Sequence, residues 1–141
     1  QLRIKGEKMK LINKDTDYAV RALMELSSGG DSYLSVKSIS DKQNIPYQFL
    51  RRVIAPLIKK GIVKSKEGSE GGLKLALNPA KIKVIDLIKI YHKEFKMSEC
   101  MFRGKPCCNR EGCALRREVI RIERCVTAEF EKMTIKTLLQ K

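Results

Sequence analysis

The chain has 141 residues, 43% hydrophobic and 33% charged, which suits a single domain with an appended helix and excludes wholesale disorder and fibrous classes. Thirty Lys and Arg against sixteen Asp and Glu leave a formal charge of +14, which points to a polyanionic partner: nucleic acid, an anionic membrane face or an acidic protein. No apolar run approaches the roughly 20 residues of a bilayer span, so no membrane-embedded role and a cytoplasmic location are expected.

Gln1 to Lys8 precede Met9-Lys10-Leu11, which reads as a natural start, and are set aside as upstream residues. Lys14 to Ser28 places Tyr18, Ala19, Ala22, Leu23 and Leu26 on one helical face, stopped by Gly29-Gly30. Ser35 is the expected N-cap of a second helix, Val36 to Gln43, with Val36 and Ile39 inward and Asn44 supplying the turn. From Pro46, at the expected first helical position, a third helix runs to Gly61 with an apolar stripe of Phe49, Leu50, Val53, Ile54, Leu57 and Ile58. Pro56 inside it predicts a kink. Ile62 to Lys66 and Leu73 to Leu77 read as two strands around the Gly68–Gly72 turn, and Val84 to Phe95 returns to helical spacing. Leu115, Val119, Ile122, Val126, Phe130 and Met133 then form a seam on one long helix from Cys113 to Leu139, expected to pair with its copy in a two-fold homodimer.

The fold class is thus mainly α with a small β-hairpin: a winged helix-turn-helix (residues 9–95), a cysteine loop (96–112) and a long C-terminal dimerisation helix (113–141). In that arrangement the third helix enters the major groove of double-stranded DNA and the hairpin flanks it. Between Pro46 and Lys66 there are six basic residues and no acid. Tyr47, Gln48, Arg51 and Arg52 stand near the helix start, where base edges are read, with Arg suited to guanine and Gln to adenine. Lys59, Lys64, Lys66 and Lys74 complete the expected DNA surface, the hairpin lysines on phosphates. A charged helix face is by itself usually only solvated; the element order and the absence of acids favour DNA.

Four of the five cysteines, Cys100, Cys107, Cys108 and Cys113, fall in the loop, with six residues between the first and second and five between Cys107 and Cys113. There is no C-x-x-C knuckle of the kind zinc prefers, whereas iron-sulfur clusters tolerate wider spacing and take Cys as the dominant ligand. Arg103, Lys105 and Arg110 would favour thiolate over thiol. Cys125 reads as a small buried apolar residue beside the seam.

Asp15-Thr16-Asp17-Tyr18-Ala19-Val20-Arg21-Ala22-Leu23, the Ile45–Leu50 turn into the third helix, Lys60-Gly61-Ile62-Val63, the Gly71-Gly72-Leu73 hairpin tip and the cysteine loop together resemble the IscR and NsrR family of winged-helix transcription regulators. The resemblance spans nearly the whole chain from Met9. It implies a homodimeric DNA-binding regulator, a repressor or an activator, whose loop holds a two-iron or four-iron iron-sulfur cluster and senses cluster supply, redox state or nitric oxide. It carries Cys100, Cys107 and Cys113 over as ligands, although the longer first interval leaves Cys107 and Cys108 both open. Where IscR-like members have a histidine after the last cysteine, this chain has Arg116; where NsrR-like members use an aspartate of the partner's first helix, it has Asp17. The fourth ligand is open among Asp17, Cys108, His92 and an external thiol, and Glu67 stands where a minor-groove arginine is often found. The alternative is a metal-free thiol-switch regulator of the same fold. An enzyme is not expected, since one histidine and no nucleophile paired with a base give a thiol oxidoreductase nothing to work with.

Overall fold

The computed structural model describes residues 11–92 and 111–141. The upstream segment Gln1 to Lys8 and the cysteines Cys100, Cys107 and Cys108 lie outside the described residues.

Helix α1, Lys14–Ser28, starts at Asn13, whose side-chain oxygen accepts from the Thr16 N–H (2.8 Å) and hydroxyl (2.9 Å). Asp15 and Asp17 in its first turn complement the positive end of the helix dipole. Ala19, Ala22, Leu23 and Leu26 are buried, and α1 forms the centre against which α3, α4 and a C-terminal helix pack. Helix α2, Val36–Gln43, is capped by the Ser35 hydroxyl, which accepts from the Ser38 N–H at 3.0 Å, and ends at Asn44 in the left-handed region (φ 50, ψ 47). That residue type tolerates the conformation better than most non-glycine residues. The buried Ser40 hydroxyl donates to the Ile45 carbonyl at 2.6 Å, locking the turn between α2 and α3.

Helix α3, Tyr47–Lys59, follows Pro46, which occupies the N-cap rather than the first helical position. Leu50, Val53, Ile54 and Leu57 are buried, but Phe49 (45% exposed) and Ile58 (38%) are not part of the inward stripe as expected. At 3.6 residues per turn they fall on the two flanks of a stripe centred on the other four. Pro56 stands inside the helix, which continues past it to Lys59.

Strands β1, Val63–Lys66, and β2, Gly72–Leu75, pair antiparallel in the register Val63↔Leu75, Lys64↔Lys74, Ser65↔Leu73 and Lys66↔Gly72. An isolated antiparallel rung between Leu34 and Leu73 lays a third segment beside β2 and ties the hairpin to the segment before α2. Gly72 has φ 142, and a Cβ there would lie 2.5 Å from the Leu34 carbonyl oxygen, so this rung requires glycine. A 3₁₀ turn at Pro79–Lys81 leads into α4, Val84–His92.

The expected single helix from Cys113 to Leu139 is two. Helix α5, Ala114–Lys132, stops at Met133, and α6, Ile135–Leu139, begins at Thr134. Thr134 and Thr137 form a capping box, while the Val84 N–H donates to the Met133 carbonyl and the Ile135 N–H to that of Ile82. These bonds draw the break onto the 82–84 segment and bury Ile135 completely in the main core. Val126 and Phe130 of α5, with Met133 just past its end, pack with Val84, Ile85 and Ile88 of α4 in a second, smaller cluster. The other end of the seam is uncovered, with Leu115 73% and Ile122 38% exposed. Cys125 is exposed as well, not buried as the sequence suggested, because it lies off the face that meets α4. No helix among the described residues is long and apolar enough to cross a membrane.

Candidate functional site

The first part of the site is the outer face of α3 and the hairpin. Tyr47, Gln48, Arg51 and Arg52 are all exposed on the first turns of α3. No side chain caps that helix start, so its first N–H groups remain available to a phosphate. The two arginines differ. The Arg51 guanidinium lies 6.0 Å from the Tyr47 ring centroid and, among the described residues, has no carboxylate partner. Arg52 is held 2.7 Å from Asp15 of α1 and stacks 4.8 Å over Phe49. Phe49 is therefore the base of an arginine stack at the surface rather than a core residue.

On the hairpin, Lys64 and Lys74 stand directly opposite each other, a like-charge pairing that costs free energy unless an anion offsets it. Lys74 meets Asp31 at 2.9 Å, and its ammonium holds that exposed carboxyl below the ordinary aspartate range. Lys66 and Lys74 lie 5.7 and 5.9 Å from the Tyr33 ring centroid, so one aromatic residue organises both lysines. Lys59, by contrast, is at the far end of α3, about 18 Å along the axis from Tyr47.

The second part surrounds the ends of the cysteine segment. Cys113 is the N-cap of α5; its half-buried Sγ accepts from the Arg116 N–H at 3.4 Å. Asp17 is exposed in the first turn of α1 and pairs with Arg21 at 3.1 Å. The other terminal nitrogen of Arg21 donates to the Gln43 carbonyl at the end of α2 (2.8 Å). One guanidinium thus joins the candidate ligand Asp17 to the helix-turn-helix. The Arg21 Nε is buried without a hydrogen-bond partner among the described residues. No group of three or more metal-ligating side chains occurs among the described residues, so a metal held by Cys113 or Asp17 would need donors from elsewhere.

Where the chain enters the cysteine segment, Tyr91 and His92 fasten it to two elements. The Tyr91 hydroxyl donates to the Val53 carbonyl of α3 at 2.6 Å, and burial pushes its phenol well above the ordinary range, so it remains a donor. His92 Nε2 accepts from the Asn13 N–H at 3.0 Å, and the Asn13 amide donates to the Tyr91 carbonyl at 3.3 Å. That hydrogen bond engages the Nε2 lone pair, leaving Nδ1 as the only ring nitrogen His92 could offer a metal in this arrangement. Tyr91→Phe is expected to lower unfolding free energy by about 1 kcal/mol in urea titrations through loss of this one bond; an unchanged midpoint would contradict it.

A helix-turn-helix with an attached hairpin, basic outer face and separate α5 defines a winged-helix DNA-binding protein. Residues 12–141 match the Rrf2 family, described as an iron-dependent transcriptional regulator, and the chain belongs to that family. It is 29% identical over 131 residues to the regulator NsrR of Oceanobacillus iheyensis, covering 92% of this chain and 89% of that protein. It spans 63% of the Rhizobium meliloti protein aau3. The solved structure of CymR, the global cysteine regulator of B. subtilis, superposes with a TM-score of 0.79 at 27% identity, covering 94% of this chain and 98% of CymR. IscR of T. potens gives 0.73 at 25% identity, covering 96% and 90%.

Proposed function

We propose that this member of the family is a homodimeric, iron-sulfur cluster-dependent repressor of transcription. Cys100, Cys107 and Cys113 hold the cluster, and Asp17 of the partner subunit supplies the fourth ligand. A bound cluster supplies a centre reactive toward nitric oxide and oxidants. The observation that carries the reading is the Asp17–Arg21–Gln43 linkage, which connects a candidate ligand directly to the end of α2.

The chain's own residues transmit the state of the site. If Asp17 were to ligate a metal, its carboxylate would be drawn from Arg21, and the Arg21 hold on the Gln43 carbonyl at the end of α2 would change with it. At the entry to the cysteine segment, Tyr91 grips α3 through Val53. The spacing of two recognition helices is a geometric demand of operator DNA, so small shifts at both points alter affinity. The uncovered Leu115 and Ile122 end of α5 supports the homodimer, since a helix about 28 Å long exceeds what α4 covers.

The structural likeness to CymR favours a second reading, in which the same thiols form a metal-free switch responding to thiol redox state. Protein purified without oxygen decides between them. The cluster reading expects iron, acid-labile sulfide and visible absorbance that nitric oxide bleaches; colourless, iron-free protein with titratable thiols supports the switch and overturns the cluster.

A further inference from the structure

The carboxyl end of α3, the 3₁₀ turn and α4 enclose an open groove of about 620 Å³, which takes in Lys59 from the far end of the expected DNA surface. Its floor is apolar, formed by Pro56, Ile62, Leu77, Ile82 and Ile90, with Leu77 41% exposed. Five lysines edge it, Lys59, Lys60, Lys81, Lys83 and Lys89, against one acid, Asp86. Among the described residues none of the five is in a salt bridge with a carboxylate.

We propose that this groove is a docking surface for an acidic, apolar-anchored segment of a partner protein. The charge pattern and the floor make opposite demands that one occupant meets. A small anion site is built from converging, buried donors, whereas these lysines are exposed and spread along the rim. Duplex phosphates would satisfy the lysines and leave the apolar floor unused. A segment with Leu or Phe anchors flanked by Asp and Glu buries the floor and pairs the rim together. A groove of this volume takes one short segment rather than a whole domain face, so a weak contact is expected. The proposal does not depend on the cluster.

The test uses the full chain and a fluorescein-labelled synthetic helix with Leu at i, i+3, i+4 and i+7 and Glu elsewhere on the exposed faces. Anisotropy is expected to give saturable binding in the tens of micromolar, on the order of a weak transient interface. Backbone amide shifts are expected at residues 56–62 and 77–90. The double variant K81E/K89E is expected to weaken peptide binding at least about tenfold, with random-sequence duplex binding changed less than about threefold. K81A/K89A, which avoids placing new acids, is expected to weaken the peptide by a smaller factor in the same direction. Equal binding of a peptide with Leu replaced by Ser, or amide shifts at 47–52 and 64–74 instead, would overturn the proposal. A loss of duplex affinity in K81E/K89E as large as the loss of peptide affinity would also overturn it and assign the groove to DNA.

Discussion

Cys113→Ser is expected to abolish cluster retention while leaving α5 intact. Cys113 serves two separable purposes: its sulfur accepts from the Arg116 N–H at the start of α5, and its thiolate is the proposed ligand nearest that helix. Serine is a preferred N-cap, so the helix start is kept or strengthened, and unfolding of the cluster-free protein should shift by no more than about 0.5 kcal/mol. A hydroxyl is a far poorer iron ligand than a thiolate, so iron content after anaerobic purification should fall about tenfold or more. Cys113→Ala removes ligand and cap together and should lose stability as well as iron. If Cys113→Ser retained full iron and sulfide, Cys113 would be a capping residue only.

Arg51→Ala is expected to weaken specific operator binding by about 1–3 kcal/mol and to relax discrimination at one base position. The contrast with Arg52→Ala makes this a test of geometry rather than charge. Arg52 is engaged by Asp15 and Phe49, so its removal should loosen α3 from α1 and lower stability before it alters base preference. Lys66→Ala, on the hairpin, should weaken all sequences alike and reduce the slope of log affinity against log salt by about 1. Binding titrations of the three variants on matched and mismatched duplexes at several salt concentrations check the ordering. Arg52→Ala relaxing specificity while Arg51→Ala does not would reverse the assignment.

The first two helices were legible to the residue, since Ser35, Asn44 and Gly29-Gly30 are local signals that act within a turn of where they stand. The hairpin was legible from Gly71-Gly72 and the alternation after it. The break at Met133 was not, because the 4,3 spacing of the seam runs right up to it and apolar Ile135, Leu138 and Leu139 follow; only the Thr134–Thr137 capping pair marks it locally, and the deciding bonds come from Ile82 and Val84 some fifty residues earlier. Phe49 and Ile58 were misplaced because a stripe of six is wider than the face a small core can cover. At the site, the residue types were readable and their engagements were not. Arg21 bridging Asp17 to Gln43, Asp15 holding Arg52, Tyr33 gathering Lys66 and Lys74, and His92 bound to Asn13 are all products of tertiary contact. Arg21 had one sequence cue, its i+4 spacing from Asp17 on a helix.

If thiolate-bound iron and sulfide govern the grip on DNA, operator affinity measured under nitrogen at one salt concentration must depend on them. Reconstituted protein and the same preparation stripped by chelator should differ at least about tenfold, the size of a coupling free energy near 1.4 kcal/mol. Equal affinities for the two forms, with iron and sulfide verified in only one, would contradict it.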